Sequence, residues 1–350
     1  MGEKRVKRRR TPRRVPRRRM AWRLGALACV LLLAVWFWRP LWSSNATLAS
    51  LLQRARAFIG ETRAPSVTVT LPEGLNLFEV AERLEVAGIC TATAFVRAAL
   101  AAKLTVHGST IEGAEGFLFP DTYQWRQGTP PARIVATMVA NFERRTAALA
   151  SELQAALPDA PAHLMGVVPA QIDAPEPGTA RAARPGGRPR TLTTATASAK
   201  LISLPQGLLW KWITFASIVA KEAGAGELER VAGVFANRLA RLDFEPRRLQ
   251  ADATRVYAQR LREHRTVLAL AGSHKLASPD AFDTYRHAGL PPAPIGNPGL
   301  DALEASLRPE SHAYLYFVRH PKHLTHVFSE NFVDHQRNVA AWRASQSAGR

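Results

Sequence analysis

Among the residues that could do chemistry, one carboxylate is set apart by its surroundings. Glu222 lies in Phe215-Ala-Ser-Ile-Val-Ala-Lys-Glu-Ala-Gly224, just past the apolar run Leu208–Ala220. Read as a helix, the run starts near Gln206 and stops at Gly224, a residue suited to the position after a helix end. Glu222 then occupies the last turn, at the negative end of the helix dipole and among apolar neighbours. Both features disfavour the charged form and raise the pKa. A carboxyl kept protonated near neutrality is what general acid catalysis needs. The same pattern also fits a solvated glutamate closing a core helix, because perturbed carboxylates occur without function.

A second stretch, Glu115-Gly-Phe-Leu-Phe-Pro-Asp-Thr-Tyr-Gln-Trp125, is dense in aromatics beside Asp121. Aromatic faces stack on sugar rings and carboxylates bind hydroxyls, which makes Asp121 and Tyr123 candidates for carbohydrate contact. A strand and turn packed on the core is the alternative. His320, His323 and His326 are spaced by three, but a hairpin does not bring all three to one face, so no metal site is expected. The two cysteines, Cys29 and Cys90, fall on opposite sides of a membrane boundary argued below, which excludes a disulfide framework and a cysteine metal site. No cofactor is implied.

The elements that must position these groups begin with a basic tail. Residues 1–19 hold eleven Lys or Arg and one acid, so 11 − 1 = +10 of the formal +19 lies there. Ala21–Trp38 follows, apolar except for Arg23 and 18 residues long, close to the roughly 20 that span a bilayer. Trp22, Trp36, Trp38 and Trp42 flank it like an interfacial belt. A signal peptide would have a shorter apolar core and a small-residue cleavage site, whereas this run exits into Trp36-Phe-Trp-Arg-Pro40. The expectation is an uncleaved anchor with residues 1–20 cytoplasmic and the rest outside. Basic tails also bind nucleic acid, but one that abuts a spanning segment is better explained as a topology signal, and no nucleic-acid partner is expected.

Residues 39–64 read as a stalk. Val67–Leu71 alternates as a strand, Leu75–Val86 has helical spacing ended by Gly88, and Thr91 caps a further helix. Ile134–Leu157 is helical. Residues 158–200, rich in Pro, Ala, Gly, Thr and Arg, read as a disordered linker. Helices are expected at Glu227–Leu242, Ala253–Arg262 and Leu300–Leu307, a rigid Pro-rich loop at Gly289–Pro298, and strands at Tyr314–Val318 and Thr325–Ser329.

Phe215-Ala-Ser-Ile-Val-Ala-Lys-Glu-Ala, Val234-Phe-Ala-Asn-Arg-Leu, Leu249-Gln-Ala-Asp252, Gly289-Leu-Pro-Pro-Ala-Pro-Ile, Tyr314-Leu-Tyr-Phe-Val and His326-Val-Phe-Ser, with Glu115-Gly-Phe-Leu-Phe-Pro-Asp-Thr-Tyr and the anchor, resemble the endolytic murein transglycosylases (MltG, YceG-like). The resemblance covers about 65–157 and 201–343. It implies an α+β fold with a single N-terminal transmembrane helix, a small LysM-like subdomain at 65–107 and a mixed α/β catalytic domain at 108–345 interrupted by 158–200. It implies a membrane-anchored enzyme of the inner membrane, facing the periplasm, that cuts nascent peptidoglycan strands without water and leaves 1,6-anhydromuramic ends. Glu222 matches the catalytic glutamate. Gln250, Asp252, Asp283 and Tyr285 fall where substrate contacts are expected, with Asp121 and Tyr123 beside them. Partners would be glycan strands, the inner membrane and peptidoglycan synthases or division proteins. The chain departs from the family pattern at Asp283 (usually Asn), Ala253 (usually Pro) and Ala293 (usually Gly), and segment 158–200 reads as foreign to it. The alternatives are a hydrolytic muramidase, in which Asp252 or Asp283 activates water, and a non-catalytic glycan-binding scaffold.

Overall fold

The computed structural model describes residues 65–348 apart from 158–159, 166–201, 242, 245 and 271–277. The basic tail, the anchor, the stalk and most of the Pro- and Arg-rich segment therefore lie outside the described residues. No helix among the described residues is long and apolar enough to cross a membrane.

The chain opens with β1 (Ser66–Leu71), α1 (Leu77–Val86) and α2 (Ala92–Leu100). Asn76 closes a capping box: its side chain accepts the N–H groups of Phe78 and Glu79, and the Glu79 carboxylate accepts the Asn76 N–H at 2.8 Å. Thr91 caps α2 as its position suggested. The hairpin of β2 (Lys103–Val106) and β3 (Ser109–Glu112) turns through His107 and Gly108, both left-handed at φ 46° and 76°, as a two-residue hairpin loop needs. β4 (Asp121–Arg126) then returns antiparallel to β1, with Leu71 opposite Asp121 and Ser66 opposite Arg126. The strand β1 is thus paired by residues beyond 107, and the subdomain boundary drawn at residue 107 falls inside the hairpin turn.

Only the second half of Glu115–Trp125 is a strand. Phe117, Phe119, Tyr123 and Trp125 are all buried, with Tyr123 stacked on Trp125 at 4.7 Å between centroids. These rings fill the core, so the sugar-stacking expectation for this stretch gives way to the packing alternative.

α3 (Pro131–Ala155) begins on a proline, which suits a first helical turn where no N–H partner exists. α4 (Ala162–Met165) follows, with Leu164 buried and His163 bonded to the Ser306 carbonyl at 3.0 Å. The packed chain therefore reaches into the segment expected to be disordered, because Leu164 supplies the apolar anchor that the Pro-rich composition masks. α5 (Gln206–Glu222) is buried all round from Trp212 to Val219, with Leu208, Leu209, Trp212, Ile213, Phe215, Ile218 and Val219 in the core, the behaviour of a stretch without a polar face. α6 (Leu228–Ala240), α7 (Asp252–Glu263), α8 (Arg265–Leu270), a 3-10 turn (Pro279–Phe282) and α9 (Leu300–Leu307) follow. The chain then forms the antiparallel hairpin of β5 (Tyr316–Arg319) and β6 (His326–Ser329), and ends in α10 (Phe332–Ala348). This is the expected α+β class.

One residue of the Pro-rich loop ties the two ends of this order together. Asn297 Oδ1 accepts the N–H groups of Gly116 and Leu118, both at 2.9 Å. Its Nδ2 donates to the Leu75 carbonyl at 2.8 Å and to Glu115 Oε1 at 3.1 Å. Its backbone exchanges two more bonds with Gly74 and Leu75. Every polar atom of a buried side chain is used. Asn297→Ala would leave several buried groups without partners, each costing about 1–3 kcal/mol. We expect it to lower stability by about 3 kcal/mol or more, read as a fall in the urea midpoint at unchanged slope; a midpoint within error of the parent would show that the loop is held by other contacts.

Candidate active site

Helix α5 ends at Glu222. Ala223 is already extended (φ −76°, ψ 139°), and Gly224 does not adopt a left-handed φ. Glycine is needed there for room rather than for the turn: a Cβ would lie 2.6 Å from Glu227 Oε2 and 3.0 Å from the Leu324 carbonyl oxygen.

The Glu222 carboxyl is half-buried, and its Oε1 accepts the Ala253 N–H at 2.8 Å. Ala253 is the second residue of α7, so the carboxyl lies between the C-terminal end of one helix and the N-terminal end of another. Their dipoles act on it in opposite senses. Burial raises its pKa above the ordinary glutamate value and the Asp252 charge adds to this; the Ala253 N–H, His326 and Arg238 pull it down. The net effect is upward, as expected, but burial is the leading cause.

Asp252 is exposed at the start of α7, and its Oδ1 accepts the Tyr285 hydroxyl at 2.9 Å. Burial and that bond push the Tyr285 pKa up to about 12. Thr284 fixes this arrangement. Its Oγ1 accepts the Ala251 N–H at 3.0 Å and pairs with Thr254 Oγ1 at 2.9 Å, while its carbonyl accepts the Gln250 N–H at 3.1 Å. The loop before the Pro-rich segment is thereby sewn to the start of α7. Gln250 is exposed and left-handed at φ 50°. Asp283 accepts the Tyr285 N–H at 3.0 Å and lies 4.0 Å from Arg255 Nε. The carboxylate that raises Glu222 is Asp252, not Asp283.

Glu222, Asp252 and Ala253 line a cavity of about 270 Å³ whose other wall includes Asn76 and Glu79 at the start of α1. Lys221 crosses it to Glu79 at 3.2 Å. Asp252 and Val256 also border an open groove of about 630 Å³ along α7, where Arg255 and Asp283 lie. Asp121 and Tyr123 take no part. Asp121 accepts from Asn141 at 3.0 Å and Arg145 at 3.2 Å, and the Tyr123 hydroxyl donates to the Phe119 carbonyl at 2.7 Å. Both tie β4 to its neighbours. Sequence reasoning missed Arg238, a buried guanidinium that donates to the carbonyls of Leu315 and Leu249 and so holds the approach to Gln250. Burial draws its pKa down to about 10. The motif Val234-Phe-Ala-Asn-Arg-Leu contains it, but nothing in the spacing marks it as buried.

The model of the YceG-like family matches residues 40–174 and 179–341. The chain belongs to the YceG-like family. The match runs through most of the Pro- and Arg-rich segment, so only 175–178 falls outside a pattern to which 158–200 had seemed foreign. The chain is 37% identical over 131 residues to the endolytic murein transglycosylase of Streptococcus pneumoniae serotype 2 (strain D39 / NCTC 7466), covering 37% of this chain and 23% of that protein. It is 33% identical over 145 residues to the endolytic murein transglycosylase of Bacillus subtilis (strain 168), covering 39% and 36% respectively. The matched part therefore spans about a quarter to a third of these relatives. A crystal structure of a yceG-like protein from Listeria monocytogenes shares the fold, with a TM-score of 0.51 and 23% identity over 81% of this chain and 79% of that one.

The bond to Glu222 comes from the Ala253 backbone N–H, and a proline at that position would have none to give. Ala253→Pro removes an interaction that favours the ionised form, and we expect the Glu222 titration midpoint to rise. Carboxyl ¹³C NMR, with Glu222 assigned by its loss in Glu222→Gln, reads this directly; an unmoved or lowered midpoint would show that the bond does not set the acidity.

Proposed function

We propose that this YceG-like protein is an endolytic lytic transglycosylase of peptidoglycan. The observation that carries the reading is Glu222: a half-buried carboxyl of raised pKa, at the position of the family's catalytic glutamate, facing a cleft open along α7. In the first step Glu222 gives its proton to the glycosidic oxygen as the bond from that oxygen to C1 of muramic acid breaks. The ionised Glu222 then takes the proton of the muramic-acid 6-hydroxyl as that oxygen closes on C1. Glu222 ends protonated, no water is consumed, and the product carries a 1,6-anhydro end. A two-carboxylate hydrolase needs a second carboxylate free to activate water or attack. The carboxylates near Glu222 are Asp252, which accepts the Tyr285 hydroxyl, and Asp283, which accepts the Tyr285 N–H; the transglycosylase reading needs neither to activate water.

The finer organisation follows the same reading. Residues 21–38 anchor the protein in the inner membrane with residues 1–20 cytoplasmic, and the cleft faces the periplasm. The module that begins at β1 is the LysM-like subdomain, two helices beside an antiparallel pair. Gln250, Asp252 and Tyr285 are the substrate-side contacts, and synthases or division proteins of the cell wall are its partners.

Product analysis on purified peptidoglycan tests the chemistry: anhydro ends are expected, and reducing ends heavier by one water would mean hydrolysis. Glu222→Gln keeps shape but cannot transfer a proton, so the rate is expected to fall by about 10²–10⁴-fold at an unchanged thermal midpoint. Near-normal rates in that variant, with a folded but dead Asp252→Asn, would give the acid's role to Asp252. Because the active form of Glu222 is protonated, kcat/KM is expected to fall as pH rises through its raised pKa.

A chain lacking residues 1–39 is expected to keep its activity on isolated sacculi, since none of the cleft residues lies before residue 65. Complete loss in a folded product would show that the N-terminal segment shapes the site.

A further inference from the structure

The open groove along α7 adjoins the cavity of Glu222, since Asp252 and Val256 border both. The proposed chemistry uses only the cavity. Arg255, Arg260 and Arg262 line the groove against Asp252, Asp283 and Glu263. The count is balanced, so net charge does not draw an anion there; what matters is which cation keeps a free edge. Arg262 bonds Asp280 at 2.6 Å, and Arg260 lies 3.4 Å from Glu263 and 4.0 Å from Glu82. Arg255 is held differently. Its guanidinium carbon sits over the Tyr285 ring, 5.2 Å from the centroid. Its ion-pair neighbour among the described residues, Asp283, is 4.0 Å away, too far for a hydrogen bond, and accepts the Tyr285 N–H instead. The Arg255 side chain stays 59% accessible. Tyr285 ties this guanidinium to the acid's surroundings, because Asp252 fixes its hydroxyl at 2.9 Å. Ala253, whose N–H Glu222 accepts, precedes Arg255 by two residues, about 3 Å along the helix axis. A guanidinium laid on an aromatic face keeps the donors of its edge free, and that fork matches a carboxylate.

We infer that Arg255 is a specificity-determining residue, whose stacked guanidinium receives a carboxylate carried by a muramic-acid unit as the strand lies along the α7 groove. In peptidoglycan the carboxylates belong to muramic acid: they sit on its peptide stem, or on its lactyl group where the stem has been removed. N-acetylglucosamine carries none. A cation at a fixed distance from Glu222 that reads only one of two alternating sugars sets which glycosidic bond comes to the acid. Arg255 exchanges no proton and touches no reacting atom. The inference rests on the peptidoglycan reading of the site, but the contact does not need turnover.

Binding of soluble glycan strands by the full chain tests it, in a Glu222→Gln background so that strands stay uncut. Three probes are used: strands with intact stems, strands stripped of stems by an amidase, and stemmed strands whose carboxylates have been converted to carboxamides. Adding Arg255→Gln is expected to weaken binding of stemmed strands by about tenfold, as loss of one solvent-accessible charge-assisted pair does. Binding of the carboxamide strands is expected to be the same with and without it. Arg255→Lys keeps the charge but not the fork, and should fall between. A loss on stripped strands as well assigns the lactyl carboxylate; a loss confined to stemmed strands assigns the stem. In the chain that cuts, Arg255→Gln is expected to raise KM on stemmed strands while kcat holds, at an unchanged thermal midpoint. Equal binding of stemmed strands with and without Arg255→Gln overturns the inference, and so does an equal loss on carboxamide strands. If binding depends on Arg255 as expected but the wild-type chain releases no anhydro ends, the carboxylate contact stands and the transglycosylase reading is what fails.

Discussion

A carboxylate with no water around it has to be surrounded by donors, and the fold is arranged about one that is. Glu115 accepts the Leu77 N–H at 3.1 and 3.0 Å, the Tyr257 hydroxyl at 2.9 Å and the Asn297 amide at 3.1 Å. Leu77 begins α1, Tyr257 lies in α7, and Asn297 ends the Pro-rich loop. Three segments from distant parts of the chain, all bordering the cleft, therefore converge on one side chain. Burial pushes the Glu115 pKa up to about 7 in spite of these donors, which measures how completely the site is cut off from solvent. Losing any one donor would leave the others holding a poorly compensated charge.

Glu115 and Glu222 make a controlled comparison within one molecule. Both are glutamates, both are removed from water, and both have raised pKa values with burial as the leading cause. They differ in how their oxygens are occupied. Those of Glu115 are saturated by donors from three segments. Glu222 has one backbone donor on Oε1 and lines the cleft. A saturated carboxyl cannot exchange its proton with a ligand without breaking the fold. A carboxyl with an open oxygen can. Burial alone does not set these two acids apart; the count of donors and the cavity that Glu222 lines do.

The contrast bears on what the sequence could reveal. Helix α5 was legible to within a residue, because an apolar run that has no polar face and ends at glycine leaves little choice. The position of Glu222 at the end of that helix was legible for the same reason. The reason for Gly224 was not: its glycine answers a clash with Glu227, which spacing along one helix cannot show. Phe117, Phe119, Tyr123 and Trp125 looked like a sugar-binding face because aromatics serve cores and carbohydrate sites alike. Pairing of β4 with β1 settles Tyr123 and Trp125, and packing against Phe142 settles Phe117 and Phe119. Asn297 and Glu115 lie 182 residues apart, and no local pattern announces a bond of that span. Asp283 closes a turn onto the Tyr285 N–H and lies 4.0 Å from Arg255 Nε, an arrangement that no local pattern announces.

The cleft also joins the N-terminal module to the helix that carries Glu222. One wall of the Glu222 cavity is the start of α1, where Asn76 and Glu79 form the capping box, and Lys221 binds Glu79 from the residue next to the acid. The capping box does two things at once: it ends α1 cleanly and holds Glu79 where Lys221 can reach it. The ion pair itself is partly exposed and of small worth in isolation. Its consequence is geometric, since it fixes the side chain adjacent to Glu222 on the far wall and keeps that ammonium from lying on the acid. An ammonium free to fold back would favour the ionised form and oppose the effect of burial. A module that looks in sequence like an appended binding unit is, in the folded chain, one wall of the cavity that Glu222 lines.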